Sequence, residues 1–176
     1  LFKKADLCIA VSDADSKEIE KYVDECKVIR NAVDIDEFKF NLSKNKKGTN
    51  LLFVGNFTYF PNVDAINYFY NLVFKELSDD VTLTIIGKKA KDLKLADDNR
   101  VVIREFVPKI QDEYAKADVM VAPIRLGGGT NFKVLESMAA GVPVISLPQR
   151  LEGLDVRGGK HLIVVTEGSD FKPKLE

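Results

Sequence analysis

A lysine and a glutamate near the start of a predicted helix are the residues of this chain whose types and spacing best suit chemistry. Three glycines, Gly127–Gly129, precede a helix that is predicted to begin at Thr130 or Asn131. Lys133 and Glu136 then lie three positions apart, on the face that also carries Thr130. Glycines let a ligand approach the backbone, and the amino end of a helix attracts anions. The pattern therefore favours a binding site for a diphosphate and its attached ribose.

A simpler interpretation of the same residues stays open. Lys133 and Glu136 could form a solvated ion pair worth a few tenths of a kcal/mol, and the glycines could serve packing alone. The spacing matches neither a phosphate loop ending in Gly-Lys-Ser/Thr nor the G-x-G-x-x-G dinucleotide fingerprint. The apolar residues of this helix are predicted to face the core: Phe132, Val134, Leu135, Met138 and Ala139.

Composition limits the classes of protein that this chain can belong to. Its 176 residues suffice for one domain, or for one domain and part of another. The net charge of −1, from 26 basic and 27 acidic residues, argues against nucleic acid as the main partner. No apolar run approaches the roughly 18–20 residues that span a bilayer. Cys8 and Cys26 lie in apolar runs, which predicts buried free thiols in a reducing cytosol.

Apolar runs alternate with helix-like segments after residue 50, and this order predicts the fold. The predicted strands are residues 51–54, 81–86, 101–103, 117–122, 143–147 and 162–165, with helices at 62–77, at 110–117 and from 130 or 131. Such alternation is typical of a Rossmann-like, doubly wound parallel α/β sheet. Ligands of these sheets bind beyond the carboxyl ends of the strands. One rim should therefore carry the glycine loop together with Gly55, Asn56, Gly87, Phe106 and Val107.

The first part of the chain reads as a separate unit. Residues 7–11 and 26–29 are predicted strands, and Ser12 is predicted to cap a helix between them. Residues 41–50 are polar, basic and unpatterned, which is typical of a linker. We therefore divide the chain into residues 1–48 and a domain over 49–176.

Several kinds of catalytic site find no support in the sequence. His161 is the one histidine, and a packing or surface role fits it better than catalysis. No Ser-His-Asp, Cys-His or carboxylate-pair arrangement can be assembled, and no Cys/His spacing suggests zinc. Any chemistry should therefore rest on stabilising a phosphate group and not on a nucleophile of this chain.

Several segments, taken in order, resemble one family. Residues 127–145 resemble the donor-binding motif of GT-B glycosyltransferases of the large family-four group. Residues 53–62 resemble the first glycine loop of one branch of that group. Shorter segments follow the family's order, namely 85–87, 106–108, 117–123 and 152–154, and residues 9–12 and 29–34 resemble the closing strands of its N-terminal domain.

The resemblance implies two facing Rossmann-like domains, of which the second holds a nucleotide-sugar. Enzymes of this family transfer a sugar with retention and usually need no metal, so the resemblance implies no metal and no cofactor, with a nucleotide-diphospho-sugar as the donor substrate. Glu136 would then bind the ribose hydroxyls, and Lys133 would hold the diphosphate. Further contacts to the diphosphate would come from Thr130, Asn131 and the backbone of Gly55, Gly128 and Gly129. The nucleotide base would meet the backbone near Phe106 and Val107, in a pocket bordered by Gly87.

The sequence departs from the family pattern at two places. The family often has two glutamates separated by seven residues, and here Gly128 stands where the first is expected. Residues 56–61 contain no basic side chain, so Lys133 would be the main cation, with Arg125 as a possible assistant. These departures favour one alternative, a non-catalytic nucleotide-binding or regulatory module with the same fold. A receiver-like signalling domain is disfavoured, because Gly55 and Asn56 stand at the end of the first strand after the linker, where its acidic pair would lie.

By the same resemblance the chain looks like part of a longer enzyme. Residues 1–48 would be a remnant of the acceptor-side domain, and residues 49–176 a donor domain truncated at its C-terminus. We expect such a chain to bind donor weakly and to transfer no sugar alone. The partners implied are a nucleotide-sugar, a glycan or lipid-linked acceptor in polysaccharide or glycoconjugate synthesis, and the missing N-terminal domain. The full enzyme would be cytoplasmic, with possible peripheral attachment to a membrane.

Overall fold

Parallel strands and short helices alternate along the chain. The computed structural model describes residues 5–38, 48–95, 97–127, 131–149, 151 and 153–175. The strands are β1 (Cys8–Ala10), β2 (Cys26–Val28), β3 (Thr49–Val54), β4 (Val81–Ile86), β5 (Val101–Arg104), β6 (Val119–Ala122), β7 (Val144–Ser146) and β8 (Ile163–Val164). The α-helices are α1 (Asp13–Ile19), α2 (Phe60–Leu72), α3 (Ile110–Lys116), α4 (Phe132–Ala139) and α5 (Lys172–Leu175).

Six strands form the main sheet, in the spatial order β5-β4-β3-β6-β7-β8. Every neighbouring pair in it is parallel. This confirms the predicted Rossmann-like, doubly wound α/β fold. The strand order reverses between β3 and β6, and ligands of such sheets bind in the crevice beyond the carboxyl ends at this reversal.

Both faces of the sheet are covered, which explains why its central strands are continuously apolar. Leu51 and Phe53 of β3 point to one face, where they join a core that includes α2 and Phe171. Leu52 of β3 points to the other face and packs with residues of β6, α3 and α4. The alternation along β3 therefore fixes which helices lie on which side.

A two-stranded parallel sheet precedes the main one. β1 pairs with β2 in a register that places Cys8 opposite Cys26, and both cysteines are buried and free, as predicted. The segment after β2 reaches α3, because Gln111 Nε2 donates to Glu37 Oε2 at 3.0 Å and the Phe38 ring meets the Tyr114 ring edge-on. The small unit is thereby joined to the helix layer of the main domain.

Some predicted boundaries differ from the structure. The predicted helix 62–77 is α2, which begins at Phe60 and ends at Leu72; a 3₁₀ turn over Phe74–Glu76 follows it. Val73 breaks the α-helix because its φ of −125° and ψ of −61° lie outside helical values. The predicted linker 41–50 lies mostly outside the described residues, but Thr49 and Asn50 already belong to β3, where they pair with β4.

Among the described residues, no helix combines the length and the apolar character that crossing a membrane requires.

The loop after β4 requires a glycine, and this gives a test of the fold. At Gly87 φ is +144°, and an added Cβ would lie 1.8 Å from the Gly55 carbonyl oxygen. We expect Gly87→Ala to lower the free energy of unfolding by at least about 3 kcal/mol, because strain and overlap combine. Denaturant unfolding measures the loss.

Gly159→Ala is the matched control for this prediction. Gly159 also has a positive φ, of +76°, but no heavy atom of the described residues lies within 4 Å of the added Cβ. Gly159→Ala should lower the free energy of unfolding by about 1–2 kcal/mol, because only the left-handed backbone conformation disfavours alanine there. Equal losses for the two variants would show that the contact with Gly55 imposes no constraint.

Candidate functional site

The predicted site residues lie at the rim formed by the carboxyl ends of the strands. Gly55 and Asn56 follow β3, while Asn131 occupies the N-cap position of α4 and Lys133 lies in its first turn. Glu136 is one turn further along α4. The predicted residues Gly128, Gly129 and Thr130 lie outside the described residues. The loop after β3 and the amino end of α4 follow the two strands at which the strand order reverses, where ligands of such sheets bind, and we call this place the crevice.

The loop after β3 is held by side-chain amides. Asn56 Oδ1 accepts hydrogen bonds from the Thr58 backbone N–H at 3.0 Å and the Thr58 hydroxyl at 2.8 Å. Asn62, in the first turn of α2, donates from Nδ2 to the Asn56 carbonyl oxygen at 2.9 Å. A Cβ at Gly55 would lie 2.9 Å from Asn62 Cγ, so glycine permits this close packing.

Lys133 of α4 forms a side-chain hydrogen bond with Asn62 of α2. Its Nζ donates to Asn62 Oδ1 at 3.1 Å and lies 4.9 Å from the centroid of the Phe53 ring, a cation–π contact. Burial lowers the pKa of Lys133 to about 8, while the charge of Glu136 opposes this shift. The ammonium is thus partly desolvated and held by a neutral amide and an aromatic face.

Glu136 has a partner on another helix. Its Oε2 accepts a hydrogen bond of 2.6 Å from the hydroxyl of Tyr114, which is fully buried on α3. Desolvation, followed by the charge and the hydrogen bond of Glu136, raises the pKa of Tyr114 well above its ordinary value. The side chains of Lys133 and Glu136 therefore bind separate partners, and a solvated ion pair describes them poorly.

Asn131 carries an unsatisfied donor at the start of α4. Its side chain is 8% exposed, makes no capping hydrogen bond, and its Nδ2 has no hydrogen-bond partner among the described residues. An unpaired buried amide costs about 1–3 kcal/mol. A ligand with an acceptor oxygen would relieve this cost, and the amino end of the eight-residue α4 favours an anionic one.

The apolar residues of α4 do not all face the core. Val134 and Ser137 are fully buried, whereas Phe132 is 45% exposed, so the prediction that Phe132 belongs to the core was wrong. Phe132 lies two positions before Val134, which places it on the opposite side of a helix with 3.6 residues per turn. Ser137 tolerates burial because its hydroxyl donates to the Lys133 carbonyl oxygen at 2.7 Å.

The other predicted residues lie along the same rim, at a distance from α4. Gly87 follows β4, next to Gly55, and its N–H donates to the Arg104 carbonyl oxygen at 2.9 Å. Phe106 and Val107 follow β5, the edge strand, and Phe106 is 82% exposed. The rim thus carries Lys133 and Glu136 at α4 and the exposed ring of Phe106 after β5.

Arg125 and His161, which the sequence left without a firm role, both have partners in the fold. Arg125 forms two hydrogen bonds with Asp64 of α2, at 2.6 and 3.2 Å, and its guanidinium lies 4.1 Å from the centroid of the Tyr68 ring. It would have to release these contacts to reach an anion. His161 Nδ1 accepts from the Arg157 N–H at 3.1 Å, in a surface turn. This agrees with the packing or surface role predicted for it.

Sequence reasoning missed three residues that shape the site. Asn62 and Phe53 hold the Lys133 ammonium, and Tyr114 holds the Glu136 carboxylate. Tyr114 carried the only usable signal, because a buried tyrosine hydroxyl usually needs a hydrogen-bond partner. Asn62 gave none, since it looks like any polar residue in the first turn of a helix.

The residues brought together at α4 suit an anion that carries hydroxyl groups. A partly buried ammonium, an unpaired amide donor and a helix amino end favour the anion, and the nearby carboxylate can accept from hydroxyls. The described residues include no group of three or more His, Cys, Asp or Glu side chains placed to hold a metal ion.

Comparison with solved structures gives close matches of fold at low sequence identity. Anabaena Alr3699/HepE in complex with UDP and glucose has a TM-score of 0.79 and 18% identity, covering 97% of this chain and 53% of HepE. S. aureus TarM has a TM-score of 0.78 and 17% identity, covering 98% and 36%. WaaG, a glycosyltransferase involved in lipopolysaccharide biosynthesis, has a TM-score of 0.66 and 16% identity, covering 94% and 51%.

The chain thus spans about half the length of HepE and WaaG. Identities this low show a shared fold alone, so the family has to be assigned from the match of the sequence to a family model. No curated protein matches the chain. The model of the family described as glycosyl transferases group 1 matches residues 48–173, well over half of the 176 residues. The chain therefore belongs to the glycosyl transferases of group 1, as its donor-site motif suggested.

Proposed function

We propose that this chain is the donor-binding part of a retaining hexosyltransferase. It binds a nucleoside-diphospho-sugar and, within the whole protein, passes the hexose to a glycan or lipid-linked acceptor. The observation that carries the proposal is the pairing of two features at the start of α4. These are the buried amide of Asn131, whose Nδ2 has no partner among the described residues, and the partly desolvated ammonium of Lys133.

Each described site residue has a role in this proposal. Lys133 and Asn131 hold the diphosphate, together with the amino end of α4, and Glu136 accepts from the ribose hydroxyls. The backbone of Gly55 and Asn56 lines the opposite wall of the crevice. At the other end of the rim, the backbone of Phe106 and Val107 meets the base, next to Gly87. Gly128, Gly129 and Thr130 complete the diphosphate contacts by resemblance to the family.

The chemistry proposed is stabilisation of a leaving nucleoside diphosphate. As the bond to the sugar breaks, negative charge grows on the diphosphate, and a fixed ammonium and helix dipole lower the energy of that state. In this proposal Lys133 provides the positive charge, and transfer requires no metal ion. HepE binds UDP and glucose, which makes UDP the first nucleotide to test.

The setting proposed is cytoplasmic synthesis of a polysaccharide or glycoconjugate. WaaG, which shares the fold, is involved in lipopolysaccharide biosynthesis. Residues 1–48 would belong to the acceptor-side domain and residues 49–176 to the donor domain. Peripheral contact of the whole protein with a membrane would bring it to a lipid-linked acceptor.

A second candidate is a nucleotide-binding module that transfers nothing. The observation in its favour is Gly128, which stands at the position of the family's first glutamate. A donor-hydrolysis assay separates the two candidates. Release of hexose from UDP-hexose supports the transferase, whereas UDP binding with no turnover in the whole protein supports the module.

Substitution of Lys133 and Glu136 tests the binding site directly. We expect Lys133→Met and Glu136→Gln each to weaken UDP binding about tenfold to a hundredfold, because each removes a charged hydrogen-bonding group. Isothermal titration calorimetry at constant salt measures the dissociation constants. Lys75→Met and Glu76→Gln are matched controls in the turn after α2, where Lys75 binds Asn71. Equal effects of site and control variants would contradict the assignment.

The dependence of UDP affinity on pH gives a second test. Lys133 has a pKa of about 8 in the free protein, so its ammonium is charged below that pH and is progressively lost above it. UDP affinity should therefore fall between pH 8 and 9.5, by up to about tenfold per pH unit, until the pKa of the bound state is reached. Binding by Lys133→Met should stay nearly constant over this range. Parallel curves for the two proteins would refute the role of Lys133.

A further inference from the structure

Tyr114 is a buried residue outside the family motif, yet it contacts the site. It lies on α3, is fully buried, and donates its hydroxyl hydrogen to Glu136 Oε2 at 2.6 Å. α3 and α4 cover the same face of the sheet, so the bond joins two neighbouring helices. The two residues are 22 positions apart in sequence, and no local structure requires the contact.

The ring of Tyr114 also packs against a residue from the first part of the chain. Phe38 meets it edge-on, with ring centroids 5.8 Å apart and an interplanar angle of 69°. Glu37, the neighbour of Phe38, accepts a hydrogen bond from Gln111, one turn before Tyr114 on α3. The direction of the Tyr114 hydroxyl is therefore fixed by packing, and the carboxylate it contacts is fixed with it.

The hydroxyl acts as a permanent donor. Burial and the charge of Glu136 raise the pKa of Tyr114 well above its ordinary value, so the phenol keeps its proton at neutral pH. A carboxylate has two oxygens, and the Tyr114 bond engages Oε2. Oε1 is then the oxygen that can accept a hydrogen bond from a ligand. The bond to Tyr114 fixes the direction in which Oε1 points.

We propose that Tyr114 is a positioning residue that aims Oε1 of Glu136 at a ribose hydroxyl, so that the site prefers ribonucleotides over deoxyribonucleotides. This inference rests on the proposed function, since it takes Glu136 to be the ribose-binding carboxylate. Discrimination follows because a fixed acceptor left without its hydroxyl donor stays desolvated and unpaired. A mobile carboxylate would rotate towards solvent and accept a hydrogen bond from water, so a missing ribose hydroxyl would cost less binding free energy.

The test is Tyr114→Phe, which removes one oxygen atom and keeps the ring. The titrants are UDP, 2′-deoxy-UDP and 3′-deoxy-UDP, and the quantity compared is the ratio of each deoxynucleotide dissociation constant to that of UDP. The wild-type protein should show a ratio of about tenfold or more for at least one deoxynucleotide. Tyr114→Phe should lower that ratio about threefold to tenfold, because Glu136 is no longer fixed.

Tyr70→Phe is the matched control. Tyr70 is a buried tyrosine of α2 whose ring stacks on Phe74 and lies under the ammonium of Lys75, away from α4. This variant should keep the wild-type ratio. A purely structural role for Tyr114 would change the melting temperature and leave the ratio unchanged, and that result would overturn the proposal.

A second measurement covers the case in which Tyr114→Phe folds poorly. Replacing Tyr114 by 3-fluorotyrosine keeps both the ring and the hydroxyl, and its fluorine resonance reports on the bond to Glu136. Saturation with UDP should shift that resonance more than saturation with the discriminated deoxynucleotide, because only UDP adds a second partner to the carboxylate. Equal shifts would overturn the positioning role. Failure of the wild-type protein to bind any nucleotide would refute the proposed function. This result differs from nucleotide binding with equal shifts, which would refute only the positioning role of Tyr114.

Discussion

The hydrogen bond from Lys133 Nζ to Asn62 Oδ1 joins the two helices on which the site depends. α2 and α4 begin on either side of the point where the strand order reverses. There, among the described residues, β3 pairs with β6 through Leu51 with Val119 and Leu52 with Met120. The crevice is the place beyond the carboxyl ends of these two strands, where ligands of such sheets bind. One side-chain bond across 71 positions of sequence thus links the two helices that begin on either side of the reversal.

Holding a lysine at this place has an energetic cost that a ligand can offset. Partial burial disfavours the ammonium and lowers its pKa to about 8, even with Glu136 nearby. Contacts with the Phe53 ring and the Asn62 amide offset part of the free energy that the ammonium loses on desolvation, but neither group carries a negative charge. An incoming anion therefore meets a cation that is already desolvated and fixed, and it also meets the unpaired amide of Asn131. Such preorganisation is what makes electrostatic stabilisation effective.

Local patterns predicted the fold well, and they predicted which loops share the rim at the carboxyl ends of the strands. The apolar runs indicated the strands and their parallel order, and the glycines before α4 indicated where this helix begins, because these features depend on neighbouring residues. The end of α2 at Leu72 was not predictable, since the apolar spacing continues to Leu77 while the backbone leaves the helix at Val73. Asn62 and Tyr114 were also missed, because their partners lie on other helices, 71 and 22 positions away. Pairing at such distances is set by the tertiary fold and leaves no spacing in the sequence.

The partners of the two site charges differ from those of the other charges near the rim. Arg104 binds Glu113, and Arg125 binds Asp64, so each of these guanidiniums is neutralised by a carboxylate. Lys133 and Glu136 are held instead by an amide and a phenol, which orient a charge without cancelling it. The site therefore keeps a fixed positive and a fixed negative group one helical turn apart. A ligand that complements both must carry an anion beside hydroxyl donors, and a nucleoside diphosphate, with its phosphates next to a ribose, has this arrangement.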